Sequence, residues 1–181
     1  MRKRLKGNFM KLAYTMAPGR GDTDLVLQEV AETLMKRGLR VVGTVQINTE
    51  RETDGPCDMD VKVLPDGPVV RISQSLGRES RGCRLDPAAL ETAVGEVQAR
   101  LGQGADVLII NKFGKHEAEG RGFREAIAFA VEREIPVIVG INGLNKDAFL
   151  EFCGGVADEI AASGPAINDW VKETIGSTIT V

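Results

Sequence analysis

Histidine is almost absent: the chain has one, His116. A single imidazole excludes a multi-histidine metal centre and leaves no choice of partner for a Ser-His-Asp arrangement, so hydrolysis built on histidine is not expected. Cysteine is scarce and scattered at Cys57, Cys83 and Cys153, without the spacing of a zinc site or a disulfide framework. Cys83 is flanked by Arg81 and Arg84, which favour a thiolate, but an inert thiol is the simpler reading. No long apolar run occurs, so neither a signal peptide nor a membrane span is expected, and a cytoplasmic location follows as an expectation. Excess positive charge is also missing. At a net charge of −3 the chain lacks the electrostatic footprint of a nucleic-acid binder. Arg2, Lys3, Arg4 and Lys6 are read as a flexible, solvated basic terminus over residues 1–10.

What is present is ordinary globular material, 43% hydrophobic and 27% charged across 181 residues. Residues 11–181 read as one α/β domain. Lys11–Met16 is an apolar strand, and the Pro18–Gly21 stretch is a loop. Leu25, Val26, Val30, Leu34 and Met35 then form the stripe of a helix over Asp24–Arg37, ended by Gly38. Leu39–Ile47 is rich in β-branched residues and completes a βαβ unit with parallel strands. Asp60–Leu64 and Val69–Ser73, around Pro65-Asp66-Gly67, predict an inserted β-hairpin. Asp86 caps a helix with Pro87 at its first position, running to about Leu101. Asp106–Ile110 and Pro136–Ile141 are buried strands. Helices are expected over Arg121–Arg133 and Lys146–Phe152, a weak strand near Val156–Ile160, and a last helix after Ser163-Gly164-Pro165 carrying Trp170. The alternation predicts an α/β fold with a three-layer, mostly parallel sheet covered by helices on both faces.

Ligands of open α/β sheets collect beyond the carboxyl ends of the strands, where three loops arrive. The first, Met16-Ala17-Pro18-Gly19-Arg20-Gly21-Asp22-Thr23, has the length and place of a G-x-x-x-x-G-K-[ST] phosphate loop. Gly21 and Thr23 match its second glycine and its hydroxyl. Met16 replaces the first glycine, and Asp22 stands where the lysine belongs. An aspartate there is expected to cap the helix, occupy the amides a phosphate needs and repel the phosphate itself, unless Arg20 substitutes for the lysine. The second loop, Asn111-Lys112-Phe113-Gly114-Lys115-His116-Glu117, follows a strand that phosphoryl-transfer enzymes end with a magnesium-binding aspartate. Asn111 is neutral, and Lys112 and Lys115 make the loop a candidate anion contact rather than a metal site. Glu117 is the one candidate for polarising water. The third stretch, Ser73–Arg84, carries Arg78, Arg81 and Arg84 for an anion or as an exposed loop. Asn142 and Asn145 reach the same crevice or serve a turn with Gly143.

Ala17-Pro18-Gly19, Gly43-Thr44-Val45-Gln46, Gly82-Cys83-Arg84-Leu85-Asp86 and Asn111-Lys112-Phe113-Gly114-Lys115-x-Glu117 together resemble domain-of-unknown-function family 2478, over about Lys11–Trp170. Some of its bacterial members are labelled molybdenum-transport-associated ATP-binding proteins. More distantly, the order of elements resembles small nucleoside triphosphatases and the GTP-binding accessory proteins of molybdopterin assembly. Those carry the loop lysine and an acid after the third strand, where this chain has Asp22 and Asn111. The resemblance implies a P-loop-like fold and molybdenum-linked physiology, and it supplies no reaction. The expected activity is binding of a small anion (a nucleotide, phosphate or molybdate) at Gly19, Arg20, Gly21, Asp22, Thr23, Asn111, Lys112 and Lys115, with little triphosphate hydrolysis. The alternatives are an unorthodox triphosphatase or phosphotransferase using Glu117, and a scaffold for protein partners such as a second copy or a transporter.

Overall fold

The computed structural model describes residues 10–49, 58–75 and 84–176. The expectations for Cys57, Arg78, Arg81 and Cys83, and for residues 1–9, lie outside these residues. Among the described residues, seven strands form one sheet, in the order β4-β3-β2-β5-β6-β1-β7. They are β1 (Leu12–Thr15), β2 (Val41–Thr49), β3 (Asp58–Leu64), β4 (Val69–Arg71), β5 (Val107–Ile110), β6 (Val137–Gly140) and β7 (Asp158–Glu159). From β2 through β7 the neighbours pair in parallel. β3 and β4 join antiparallel beyond β2 and form the expected hairpin. The turn between them closes with Gly67 N–H donating to Val63 O at 3.0 Å. Arg100 fastens it from outside, donating to Asp66 at 3.0 Å.

Every residue of β1, β5 and β6 is buried, as strands covered on both faces require. Alternation sends Leu12, Tyr14, Leu108 and Ile110 into one core layer and Ala13, Val107 and Ile109 into the other. Helices α1 (Asp22–Lys36) and α6 (Gly164–Gly176) cover the second layer. Helices α2 (Pro87–Leu101), α4 (Arg124–Glu132) and α5 (Lys146–Phe152) cover the first. Asp86 caps α2 as expected, accepting from Ala88 N–H at 3.0 Å and Ala89 N–H at 3.2 Å. α1 ends in a Schellman motif, with Gly38 N–H donating to Met35 O and Leu39 N–H to Leu34 O.

The helix expected over Arg121–Arg133 is shorter, and a separate one-turn helix, α3 (Lys115–Ala118), precedes it in what read as loop. Gly120 and Gly122 take φ of 96° and 66°, a left-handed backbone that no continuous helix accommodates. β6 lies between β1 and β5, so the loops after β1 and β5 stand two strand spacings apart.

Candidate functional site

The loop joining β1 to α1 leaves the carboxyl end of an interior strand. Thr23 Oγ1 accepts from Ala17 N–H at 2.9 Å and closes the loop on itself. Gly21 sits at the helix N-cap with φ 79° and ψ −8°, and no side chain caps α1. The expected capping role of Asp22 is therefore corrected: Asp22 is the first residue of the helix. The left-handed Gly21 turns the chain so that the Asp22 carboxylate folds back over the Cα of Gly19, and a Cβ added there would overlap Oδ2. Arg20 and Asp22 are exposed, while Gly19, Gly21 and Thr23 are half-buried.

Asn111, at the end of β5, is 4% exposed, and its amide is fully engaged. Oδ1 accepts from Gln46 N–H at 2.9 Å. Nδ2 donates to Asp24 Oδ1 at 3.1 Å and to Gln46 Oε1 at 3.2 Å. This side chain ties three elements together: β5, β2 and the first turn of α1. It also brings the second loop to the first, across the intervening β6. Gly140, at the end of β6, makes the crossing possible. A side chain there would collide with the Asn111 carbonyl and come within 2.9 Å of Leu27 on α1.

The rest of the second loop turns away from α1. Glu117 is 2% exposed, its Oε2 accepting from Gly114 N–H at 2.9 Å and its Oε1 from Phe123 N–H at 3.3 Å. Gly122 packs directly against the carboxylate. Burial raises its pKa above the usual glutamate value, while the donated amides pull the other way. Each oxygen of Glu117, the residue expected to polarise water, accepts from a backbone amide of residues 114–123. His116 is buried beside it and shares a hydrogen bond of 2.7 Å with Glu91 on α2. Glu91 also accepts from Gly122 N–H at 3.0 Å, so two carboxylates cinch residues 114–123.

Lys112 is exposed, its methylenes passing over Gly114. Lys115 lies 3.8 Å from Glu119 with its side chain 81% exposed. Asn142 and Asn145 form a turn, Asn142 Oδ1 accepting from both the backbone and the side chain of Asn145. Arg84 lies 3.9 Å from Asp58 at the start of β3. Among the described residues, no group of three or more His, Cys, Asp or Glu side chains is arranged to hold a metal ion. None of their helices is long and apolar enough to cross a membrane. Sequence reasoning missed Asp24 and Gln46, the two partners of Asn111. The only signal for them was an acid directly after the loop hydroxyl Thr23, together with a neutral residue at 111.

A parallel sheet with its glycine-bearing loop between β1 and α1 has the architecture of the P-loop nucleoside triphosphatases. A human cancer-related nucleoside triphosphatase, solved in solution, matches 93% of this chain and 97% of its own with a TM-score of 0.54, at 18% identity. The chain belongs to the family described as Protein of unknown function (DUF2478), whose model matches residues 12–170. A curated relative, molybdenum import ATP-binding protein ModC 2 of Bradyrhizobium diazoefficiens, is 33% identical over 153 residues. That match takes in 84% of this chain but only 17% of the relative's length.

Proposed function

We propose that this protein binds a nucleotide or a smaller oxyanion, phosphate or molybdate, at the β1–α1 loop, and that it regulates rather than hydrolyses. The observation that carries the reading is the Asn111 side chain. Phosphoryl-transfer sites of this architecture use an acid at the end of this strand to hold magnesium. Here the position holds a neutral amide whose oxygen and nitrogen are already bonded to Gln46 and Asp24. Asp22 in place of the loop lysine removes the second electrostatic requirement for triphosphate chemistry. What remains is the N-terminus of α1, with amides that have no intrahelical partner and a dipole favouring negative charge. Gly19, Arg20, Gly21 and Thr23 supply the contacts, with Lys112 and Lys115 as outlying positive charge.

The ATP-binding relative supports nucleotide as the ligand class, and its name supports a molybdenum link. Because a module like this chain makes up a small part of that longer protein, association with a transporter subunit in the cytoplasm is part of the proposal. The test is a thermal-shift and calorimetric screen of ATP, GTP, phosphate and molybdate, with and without Mg²⁺. A ligand at 100 times its dissociation constant should stabilise the fold by about 2.7 kcal/mol. Binding without turnover above a Gly21→Trp control is the expected result. Magnesium-dependent hydrolysis that this control abolishes would overturn the reading.

A further inference from the structure

We propose that the cleft between α2 and residues 116–125 is a second ligand site, taking a small molecule that carries an anionic group and an N–H or O–H donor. It stands apart from the β1–α1 loop, since α2 and α4 cover one core layer and α1 the other. Its volume of about 490 Å³ lies inside the range of about 300–1,000 Å³ for small-molecule sites. His116 lines the cleft with a side chain only 4% exposed. Nε2 shares the 2.7 Å hydrogen bond with Glu91 Oε1, and the same oxygen holds Gly122 N–H. An ionised carboxylate only accepts, so the shared hydrogen belongs to Nε2 and the neutral ring presents Nδ1 as an acceptor. Nδ1 makes no hydrogen bond among the described residues. It is not one of the sealed polar atoms of the core either, so it opens on the cleft that the ring lines. A buried imidazole is thus fixed in one orientation, with its second nitrogen left for a donor from outside.

The charges around that nitrogen select the ligand. Arg121, Arg124, Glu91 and Glu125 line the same cleft. Each guanidinium is steadied by one hydrogen bond, Arg121 to Glu119 at 2.8 Å and Arg124 to Glu117 O at 3.2 Å. Arg124 also lies over the Phe152 ring, 4.7 Å from its centroid. A guanidinium has five N–H donors, so both arginines keep donors for a carboxylate or a phosphate. His116 Nδ1 and the two glutamates supply acceptors for a hydroxyl or an ammonium group. Gly95 gives the cleft its width. It is exposed in the middle of α2, where glycine weakens a helix relative to alanine. No neighbour in the chain requires it, because a Cβ there would meet nothing within 4 Å.

The experiment is an NMR titration of the full chain, in which His116 is the only histidine and its ring resonances need no assignment. The probes are L-serine, glycolate and glycerol 3-phosphate. Acetate, an anion without a donor, and ethanolamine, a donor without an anion, are the controls. The free protein should show the tautomer with hydrogen on Nε2. At least one probe should shift the ring resonances saturably, and which one distinguishes an amino acid from a hydroxy acid or a phosphate ester. Each control should bind about tenfold more weakly than that probe, for want of one charge-assisted hydrogen bond. Gly95→Leu fills the open space with a better helix former, so it should abolish the shifts while Tm holds or rises. Arg121→Ala, at an exposed residue, should weaken binding by about tenfold. Hydrogen on Nδ1 in the free protein, or no response to any probe, would overturn the proposal. So would shifts that persist unchanged in Gly95→Leu and Arg121→Ala, which would put the binding elsewhere. Dimerisation in sedimentation that Gly95→Leu abolishes would give the cleft to a second copy instead.

Discussion

Replacing Glu117 by alanine isolates what a buried carboxylate does in this molecule. The side chain is 2% exposed and accepts hydrogen bonds from Gly114 and Phe123 at 2.9 and 3.3 Å. Alanine leaves two buried amides without acceptors, at about 1–3 kcal/mol each. The expected loss is therefore ~2–6 kcal/mol. For a domain of this size each kcal/mol lowers Tm by about 2–4 °C, so the melting temperature should fall by at least several degrees. Urea denaturation followed by the fluorescence of the single tryptophan, Trp170, measures it. Trp170 is buried and donates to Asp158, so its emission reports unfolding. Glu117→Gln keeps one acceptor oxygen and should lose about half as much. The pH dependence adds a signed check. Burial raises the folded-state pKa above the ordinary glutamate value of 4.5. Its contribution to stability is therefore greatest below that value and is lost as pH rises through the folded pKa. Glutamine does not titrate, so Glu117→Gln should gain on the wild type over that interval. An alanine variant within about 0.5 kcal/mol of wild type would refute the assignment of Glu117 to loop architecture.

Asn111→Asp would place a carboxylate within reach of Asp24. The variant should melt at a lower temperature in chelator and recover specifically on adding Mg²⁺, read by differential scanning fluorimetry; no Mg²⁺ response would mean that the pair cannot be turned into a cation site. Asp86→Ala removes the side chain that accepts from Ala88 and Ala89 and should cost α2 about 1 kcal/mol in urea denaturation. Glu91→Gln weakens the hold on His116 and Gly122, so amide hydrogen exchange should accelerate over residues 114–123 and remain unchanged in α1.

Much of the scaffold was legible because local chemistry agrees with the fold. The Asp86-Pro87 pair marked the start of α2, and Pro65-Asp66-Gly67 marked the hairpin turn. The Lys146–Phe152 helix has the bounds its pattern suggested. The continuous apolar runs around Val107–Ile110 and Val137–Gly140 became strands buried on both faces. The helix break at Gly120 and Gly122 was hidden, since apolar periodicity resumes at once and glycine alone does not reveal its φ. The site was less legible than the scaffold. Its loops could be placed at the sheet's carboxyl edge, but the insertion of β6 between β1 and β5 is a matter of long-range pairing. The partners of Asn111 lie 65 and 87 residues away, and no local pattern connects them. Asp22 misled for a related reason. Aspartate beside a helix start is a common cap, and only the folded structure shows its carboxylate lying back over Gly19.

Gly140 has a consequence for how this site can be tuned. It carries no functional group, yet the Asn111 backbone and Leu27 of α1 close in on the space its side chain would need. It acts as a spacer of zero thickness. One methyl group at that point would wedge the α1 start away from the end of β5, lengthening the Asp24–Asn111 contact without altering either residue. The height of α1 above the end of β5 is set from beneath, by a residue with no side chain.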